Sequence, residues 1–144
     1  MLARTFKVAK EDYEISADVL LENKDLLVSL TGGDIPHLGG VVTFDFKSKK
    51  ISKTFFESHD GRKHKDIFLA EQFAEKIKDH LNGNLCVTAG VHIDGITEKQ
   101  IDASFVMVDE LAQAVLNWQN KKIKQARTPQ YTTHLKRDRE GHLI

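Results

Sequence analysis

The chain has 144 residues, 40% of them hydrophobic and 29% charged, which is typical of a single globular domain that can bury one core. Its 21 basic and 21 acidic side chains cancel, so no overall field favours nucleic acid or an anionic membrane. One cysteine, Cys86, excludes an internal disulfide, and without a membrane-length apolar run or a signal-peptide pattern we expect a cytoplasmic protein.

The first half of the chain predicts strands. Segments of alternating or continuous apolar character cover residues 13–21, 25–31, 41–46 and 51–57. Only four polar residues, 47–50, join the last two segments, so we expect these two strands to form a hairpin.

The second half predicts a helix, a strand and a second helix. Apolar residues recur at helical spacing over residues 66–81, and Asn82-Gly83 provides a stop for that helix. Residues 84–92 alternate as a strand does, and a capping box formed by Thr97 and Gln100 begins the second helix.

These elements predict an α+β fold. Consecutive strands with short connections favour antiparallel pairing, so we expect a largely antiparallel sheet with two amphipathic helices packed on one face. Residues 1–120 are predicted to form the single domain. Residues 121–144 are polar and charged, and we expect this C-terminal tail to be disordered or to wrap a partner subunit.

Four of the seven histidines lie in three glycine-containing segments, residues 31–40, 58–65 and 89–95. These histidines are His37, His59, His64 and His92. Glycine lets the backbone turn sharply and approach a ligand, and imidazole binds metals and exchanges protons. The alternative for each segment is an ordinary connection whose histidine is solvated or structural.

Segment 58–65 carries the more specific signal, because it places Arg62, Lys63 and Lys65 just before a predicted helix. Cations at a helix N-terminus oppose the macrodipole, so the arrangement indicates an anion bound nearby. Arg62 can hold such an anion with two parallel hydrogen bonds. A capped helix start with an exposed basic turn is the alternative.

The four histidines also form a candidate site for zinc, nickel, copper or iron. Their spacing matches no zinc-finger or HExxH pattern. A triad of Ser58, His59 and Asp60 is disfavoured, because neighbours along an extended chain point in opposite directions.

The same three segments resemble the prenylated flavin chaperone LpdD-like family, whose members accompany non-oxidative hydroxyarylic acid decarboxylases such as gallate decarboxylase as a small third subunit. The matching residues are Thr31, Gly32, Gly33, Pro36, His37 and Gly39, then Ser58, His59, Asp60, Gly61, Arg62, His64, Lys65 and Asp66, and finally Thr88, Ala89, Gly90, His92, Ile96 and Thr97. The resemblance implies a fold similar to that of proteasome-assembly chaperones, which commonly form dimers. It also implies a non-enzymatic carrier of prenylated flavin mononucleotide (prenylated FMN) that acts between a flavin prenyltransferase and the large decarboxylase subunit.

For such a carrier we expect basic residues to take the phosphate, glycines to admit the ring, and histidines to bind its edge, with no catalytic residue. The candidate cofactor-binding residues are Gly32, Gly33, His37, Gly39, His59, Asp60, Arg62, Lys63, Lys65 and Gly90, and the candidate ligands of a divalent transition metal are His37, His59, His64 and His92. One alternative is a small metal-dependent enzyme that uses Asp34 or Asp60 as base. Another is a pure assembly chaperone that binds neither metal nor flavin.

Overall fold

The computed structural model describes residues 1–57 and 66–143, which contain six β-strands and two α-helices. The strands are β1 (Leu2–Lys10), β2 (Tyr13–Glu22), β3 (Asp25–Gly33), β4 (Gly40–Asp45), β5 (Lys50–Phe55) and β6 (Leu85–His92). The helices are α1 (Asp66–Ile77) and α2 (Glu98–Lys122), followed by the 3₁₀ turns Lys78–His80 and Ile123–Gln125. The basic segment 58–65 lies outside the described residues.

Three antiparallel hairpins form most of the sheet, joining β1 to β2, β2 to β3 and β4 to β5. Glu11 and Asp12 have φ values of 50° and 64°, a pair of left-handed residues typical of a tight hairpin turn. Asn23 and Lys49 adopt the same conformation, at 57° and 63°, in the other two turns. The four strands predicted for residues 13–57 and the hairpin between the last two are confirmed. The sequence does not reveal β1, because this strand at the edge of the sheet has no fully buried position.

Strand β6 lies between the two groups of hairpins, in the order β1-β2-β3-β6-β4-β5. It runs parallel to β3 and antiparallel to β4, so the expected antiparallel sheet is confirmed with one parallel pair. Because β6 separates β3 from β4, the loop that joins those two strands must cross the carboxyl end of β6. This crossing spans two strand spacings, about 10 Å.

Both helices cover one face of the sheet, as predicted. Helix α1 packs over β4 and β6, α2 packs over β1 and β2, and the two helices contact each other. The buried side chains come from alternate strand positions and from one side of each helix, and they include Ile15, Val19, Leu26, Leu30, Val42, Val87, Ile67, Phe73, Ile77, Met107, Leu111 and Val115. Phe105, which shares the apolar spacing of α2, is 38% exposed.

The capping box of α2 is confirmed, since the Thr97 hydroxyl accepts from the Gln100 N–H and the Gln100 side chain accepts from the Thr97 N–H. Neither helix combines the length and the apolar character that a membrane crossing requires. The chain leaves α2 beside the turn between β2 and β3, where the Asn23 amide hydrogen-bonds both the N–H and the carbonyl of Arg127. From Thr128 onward, every described residue is exposed.

One fully buried side chain in the core is polar. Gln119, on α2, is 0% exposed, and neither its Nε2 nor its Oε1 has a hydrogen-bond partner among the described residues. An unpaired buried amide destabilises the folded state by about 1–3 kcal/mol.

We therefore predict that Gln119→Met, which keeps the length of the side chain and removes the amide, raises the free energy of unfolding by about 1–2 kcal/mol. Urea denaturation measures this change. Gln113→Met, at an exposed position of the same helix, is the matched control and should alter stability by less than about 0.5 kcal/mol. A Gln119→Met variant less stable than the wild type would contradict the account.

Candidate functional site

The loop from β3 to β4 is bound to the end of the strand that it crosses. The Asp34 N–H donates to the His92 carbonyl at 2.6 Å, and the Gly39 N–H donates to the Ala89 carbonyl at 2.9 Å. These bonds bring segment 31–40 against the end of β6, which belongs to segment 89–95. Two of the three histidine-containing segments therefore form one surface.

Asp66, the first residue of α1, connects this surface to the helix. Its carboxylate accepts from the Val91 N–H at 2.8 Å through Oδ1 and lies 2.9 Å from His37 Nε2 through Oδ2. The pairing of β4 with β6 ends at Ala89, so the carboxylate accepts from an N–H of β6 beyond the last β4 pair. A carboxylate in the first turn of a helix also complements the positive end of the macrodipole.

The two nitrogens of the His37 ring both face oxygen acceptors. Nδ1 lies 3.1 Å from the Ile35 carbonyl, and Nε2 lies 2.9 Å from the Asp66 carboxylate. A neutral imidazole carries only one N–H, so both hydrogen bonds form together only when each ring nitrogen carries a hydrogen. The His37 and Asp66 side chains are 23% and 7% exposed, so this histidine–carboxylate pair is largely shielded from solvent.

The glycines of the candidate site make room for the protein's own chain. A Cβ at Gly90 would overlap the His37 carbonyl, and one at Gly39 would overlap the Asp66 carboxylate. A Cβ at Gly33 would meet the His92 carbonyl, and Gly33 also has a φ of 74°. Gly32 faces the backbone of β2 in the same way. The close packing of the β3–β4 loop against its surroundings accounts for these glycines. Their contact with a cofactor stays a prediction.

His92, at the end of β6, forms a separate and more exposed pair. Its Nε2 lies 2.9 Å from the Asp94 carboxylate, and its side chain is 48% exposed. The Asp94 N–H in turn donates to the Asp34 carboxylate at 2.9 Å. His37 and His92 therefore each contact a different carboxylate.

The predicted four-histidine metal site is not supported. Within residues 1–57 and 66–143, no three histidine, cysteine or acidic side chains come together as metal ligands would. The other two predicted ligands, His59 and His64, belong to segment 58–65 and lie outside the described residues. The candidate cofactor-binding residues Asp60, Arg62, Lys63 and Lys65 lie there as well.

Described residues close to both ends of segment 58–65 nevertheless contact the loop between β3 and β4. Before the segment, the Phe56 N–H donates to the Gly39 carbonyl at 3.1 Å. On the other side, Asp66 contacts His37. Segments 31–40 and 89–95 and the residues that flank segment 58–65 therefore meet at one end of the sheet.

Apolar side chains that the sequence does not single out lie along the same loop and at the end of β5. Ile35 and Leu38 are 52% and 53% exposed on either side of His37, and Phe55 and Phe56 are 46% and 40% exposed. The signals that could have revealed them are two successive aromatic residues at a strand end and two apolar residues in a glycine-rich loop. Exposed apolar side chains around a polar anchor suit a ligand with a flat ring and a polar edge.

The fold and the family follow from comparison with known proteins. A solved structure described as "Crystal Structure of a Novel Chaperone Complex for Yeast 20S Proteasome Assembly" is similar with a TM-score of 0.51 at 15% identity, over 83% of this chain and 98% of that chain. The molecule therefore has the α+β fold of a proteasome-assembly chaperone. The profile of the prenylated flavin chaperone LpdD-like domain matches residues 9–120. Protein LpdD of Lactiplantibacillus plantarum (strain ATCC BAA-793 / NCIMB 8826 / WCFS1) is 38% identical over 128 residues, 88% of this chain and 93% of that protein. The chain belongs to the prenylated flavin chaperone LpdD-like family, which confirms the resemblance carried by the three segments.

We predict that Asp66→Ala lowers the free energy of unfolding by about 2–4 kcal/mol, because it removes both the acceptor for the Val91 N–H and the partner of His37 Nε2. Asp66→Asn should cost less than half as much. An amide oxygen can still accept from Val91, and its NH₂ can donate to His37 Nε2 once that nitrogen loses its hydrogen. Chemical denaturation of the three proteins measures both differences.

Asp94→Ala provides the control, because its carboxylate is 78% exposed and its pair with His92 should contribute less than about 0.5 kcal/mol. Equal losses for Asp66→Ala and Asp94→Ala would contradict the structural role assigned to Asp66.

Proposed function

We propose that the protein is a non-enzymatic carrier that binds prenylated FMN at the His37 end of the sheet and helps to mature a hydroxyarylic acid decarboxylase. The observation that carries this proposal is the family match over residues 9–120, because that range contains every candidate site residue. Membership in a chaperone family supports the role of a chaperone. The cofactor and the decarboxylase are the finer part of the proposal.

The chemistry of the described residues fits such a ligand. Prenylated FMN has a phosphate, a flat ring system with polar edges, and an added apolar ring. The exposed side chains of Ile35, Leu38 and Phe56 offer apolar contacts to the ring, and His37 offers a polar contact to its edge. We assign the phosphate to Arg62, Lys63 and Lys65, because these residues immediately precede the N-terminus of α1 in the chain.

The contacts of His37 support a role in holding a ligand. Both ring nitrogens face an acceptor of the protein, the Ile35 carbonyl and the Asp66 carboxylate. These two contacts fix the orientation of the ring, which suits a residue that positions a bound molecule.

The proposed partners are a flavin prenyltransferase that supplies the cofactor, the large decarboxylase subunit that receives it, and a second copy of this chain. We propose a cytoplasmic location, where such enzymes would share the cofactor. The metal-dependent enzyme has no supporting observation in the described residues and is not proposed.

We predict that co-production with a flavin prenyltransferase yields purified protein that carries flavin absorbance and that raises the activity of a co-produced decarboxylase. His37→Ala should reduce the affinity for reduced prenylated FMN, measured by anaerobic titration, by roughly tenfold or more, since a charged contact contributes about 1.5–3 kcal/mol. Leu38→Ser changes an exposed side chain and leaves the His37–Asp66 pair intact, so it tests the apolar contact without loss of the fold.

The control is His80→Ala, because His80 is exposed in the 3₁₀ turn that follows α1, away from the described site. It should retain flavin as the wild type does. Protein that never retains flavin and has no effect on decarboxylase activity would reject the proposal. Bound flavin with full affinity in both His37→Ala and Leu38→Ser would reject the location.

A further inference from the structure

The helix-free face of the sheet contains a long depression, which we call the open-face groove. It consists of two adjoining cavities of about 370 and 440 Å³ that share Leu27 and Cys86 in their walls. Leu20 adds to this uncharged surface, and Leu27 is 42% exposed. Of the described residues, none from either helix lines the groove.

The charged residues that line the groove are predominantly acidic. Among the described lining residues, Asp18, Glu22, Asp25 and Asp45 are acidic and Arg4 is basic. The backbone N–H groups of Ser48 and Lys47 donate to the Asp45 carboxylate and lower its pKa, which favours its charged form. Within the described part of the chain, Asp18 and Glu22 form no ion pair. The groove therefore presents apolar surface bordered by negative charge.

The part of the C-terminal tail that follows α2 and its 3₁₀ turn, residues 126–144, has the opposite character. It carries four basic and two acidic residues, a net charge of +2, and because the whole chain is neutral, residues 1–125 carry −2. Its apolar side chains are also exposed, with Tyr131 at 86%, Leu135 at 55% and Leu143 at 58%. A basic segment with exposed apolar residues complements an acidic groove with an apolar floor.

We propose that the open-face groove of one copy binds the C-terminal tail of a second copy, and that the exchange is reciprocal. The Asn23–Arg127 hydrogen bonds begin the tail at the turn between Glu22 and Asp25, so the start of the tail and the mouth of the groove lie together. Among the described residues, no ion pair joins the tail to the groove of its own copy, and both surfaces stay exposed. A two-fold pair of chains would cover both tails and both grooves at once, which is the closed arrangement that dimers favour.

The tail lies outside the range matched by the family profile, so the inference does not depend on the cofactor. Tail exchange also explains how two copies whose domains have the same sign of charge can associate. Residues 1–125 of two copies repel each other at −2 each, and each tail places +2 on the partner's acidic face. Because these charges are exposed, salt should weaken the dimer.

The test uses two full-length variants with reversed charges. The groove variant is Asp18→Lys with Glu22→Lys, and the tail variant is Lys136→Glu with Arg139→Glu. In each variant alone, tail and groove have like charge, so its dimer dissociation constant, measured by sedimentation equilibrium, should rise by roughly tenfold or more. An equimolar mixture should recover the dimer, because the native tail fits the native groove and the reversed tail fits the reversed groove.

The matched control is Lys76→Glu with Lys99→Glu, which reverses two exposed charges on the helices and should leave the dimer unchanged. Cooperative unfolding of every variant shows that the fold is kept. A monomeric wild type, a dimer unaffected by deletion of residues 126–144, or variants that fail to pair on mixing would each overturn the proposal. Docking of the tail within its own copy gives no recovery on mixing and overturns it too. Flavin retention should be the same in the groove and tail variants, which separates this outcome from that of the carrier proposal.

Discussion

The buried carboxylate of Asp66 joins three parts of the chain that are distant in sequence: the loop after β3, the end of β6 and the start of α1. Its Oδ1 accepts from the Val91 N–H, and its Oδ2 pairs with His37. A buried carboxylate is stable only when its charge is compensated, so the helix start, the strand end and the histidine must form together. The position of α1, which helps to cover the sheet, thus depends on the same contact that orients His37.

The need for this contact comes from the topology. Inserting β6 between β3 and β4 forces the connecting loop across the end of a strand whose N–H and carbonyl groups have no further partner from β4. The loop supplies N–H donors from Asp34 and Gly39 to two of the carbonyls, and Asp66 supplies the acceptor for an N–H. So close a crossing leaves no room for a Cβ at Gly39 or Gly90. The same glycine and imidazole pattern that suggests a ligand site is therefore also a requirement of the fold.

Because one pattern serves both the fold and the candidate site, some features can be predicted from the sequence and others cannot. Alternation predicts β2 to β6 and apolar spacing predicts both helices, because each pattern reports directly on which side of an element is buried. The parallel pairing of β3 with β6 needs contacts across more than 50 residues, as between Val28 and Val87, and no local pattern encodes them. For the same reason Asp66 reads as an ordinary acidic residue at a helix start, although it is the partner of His37. The sequence locates the loops of the candidate site, but it does not reveal which side chains compensate one another inside it.

Charge distinguishes the two surfaces on which binding is proposed. Asp18, Glu22, Asp25 and Asp45 line the open-face groove, and an anionic ligand would be repelled there. The other surface contains His37 and the start of α1, which Arg62, Lys63 and Lys65 immediately precede in the sequence. Basic side chains and a helix N-terminus both stabilise an anion. Charge therefore supports the two proposals together: a small anionic ligand at the His37 end of the sheet, and the basic tail of a second copy on the acidic face.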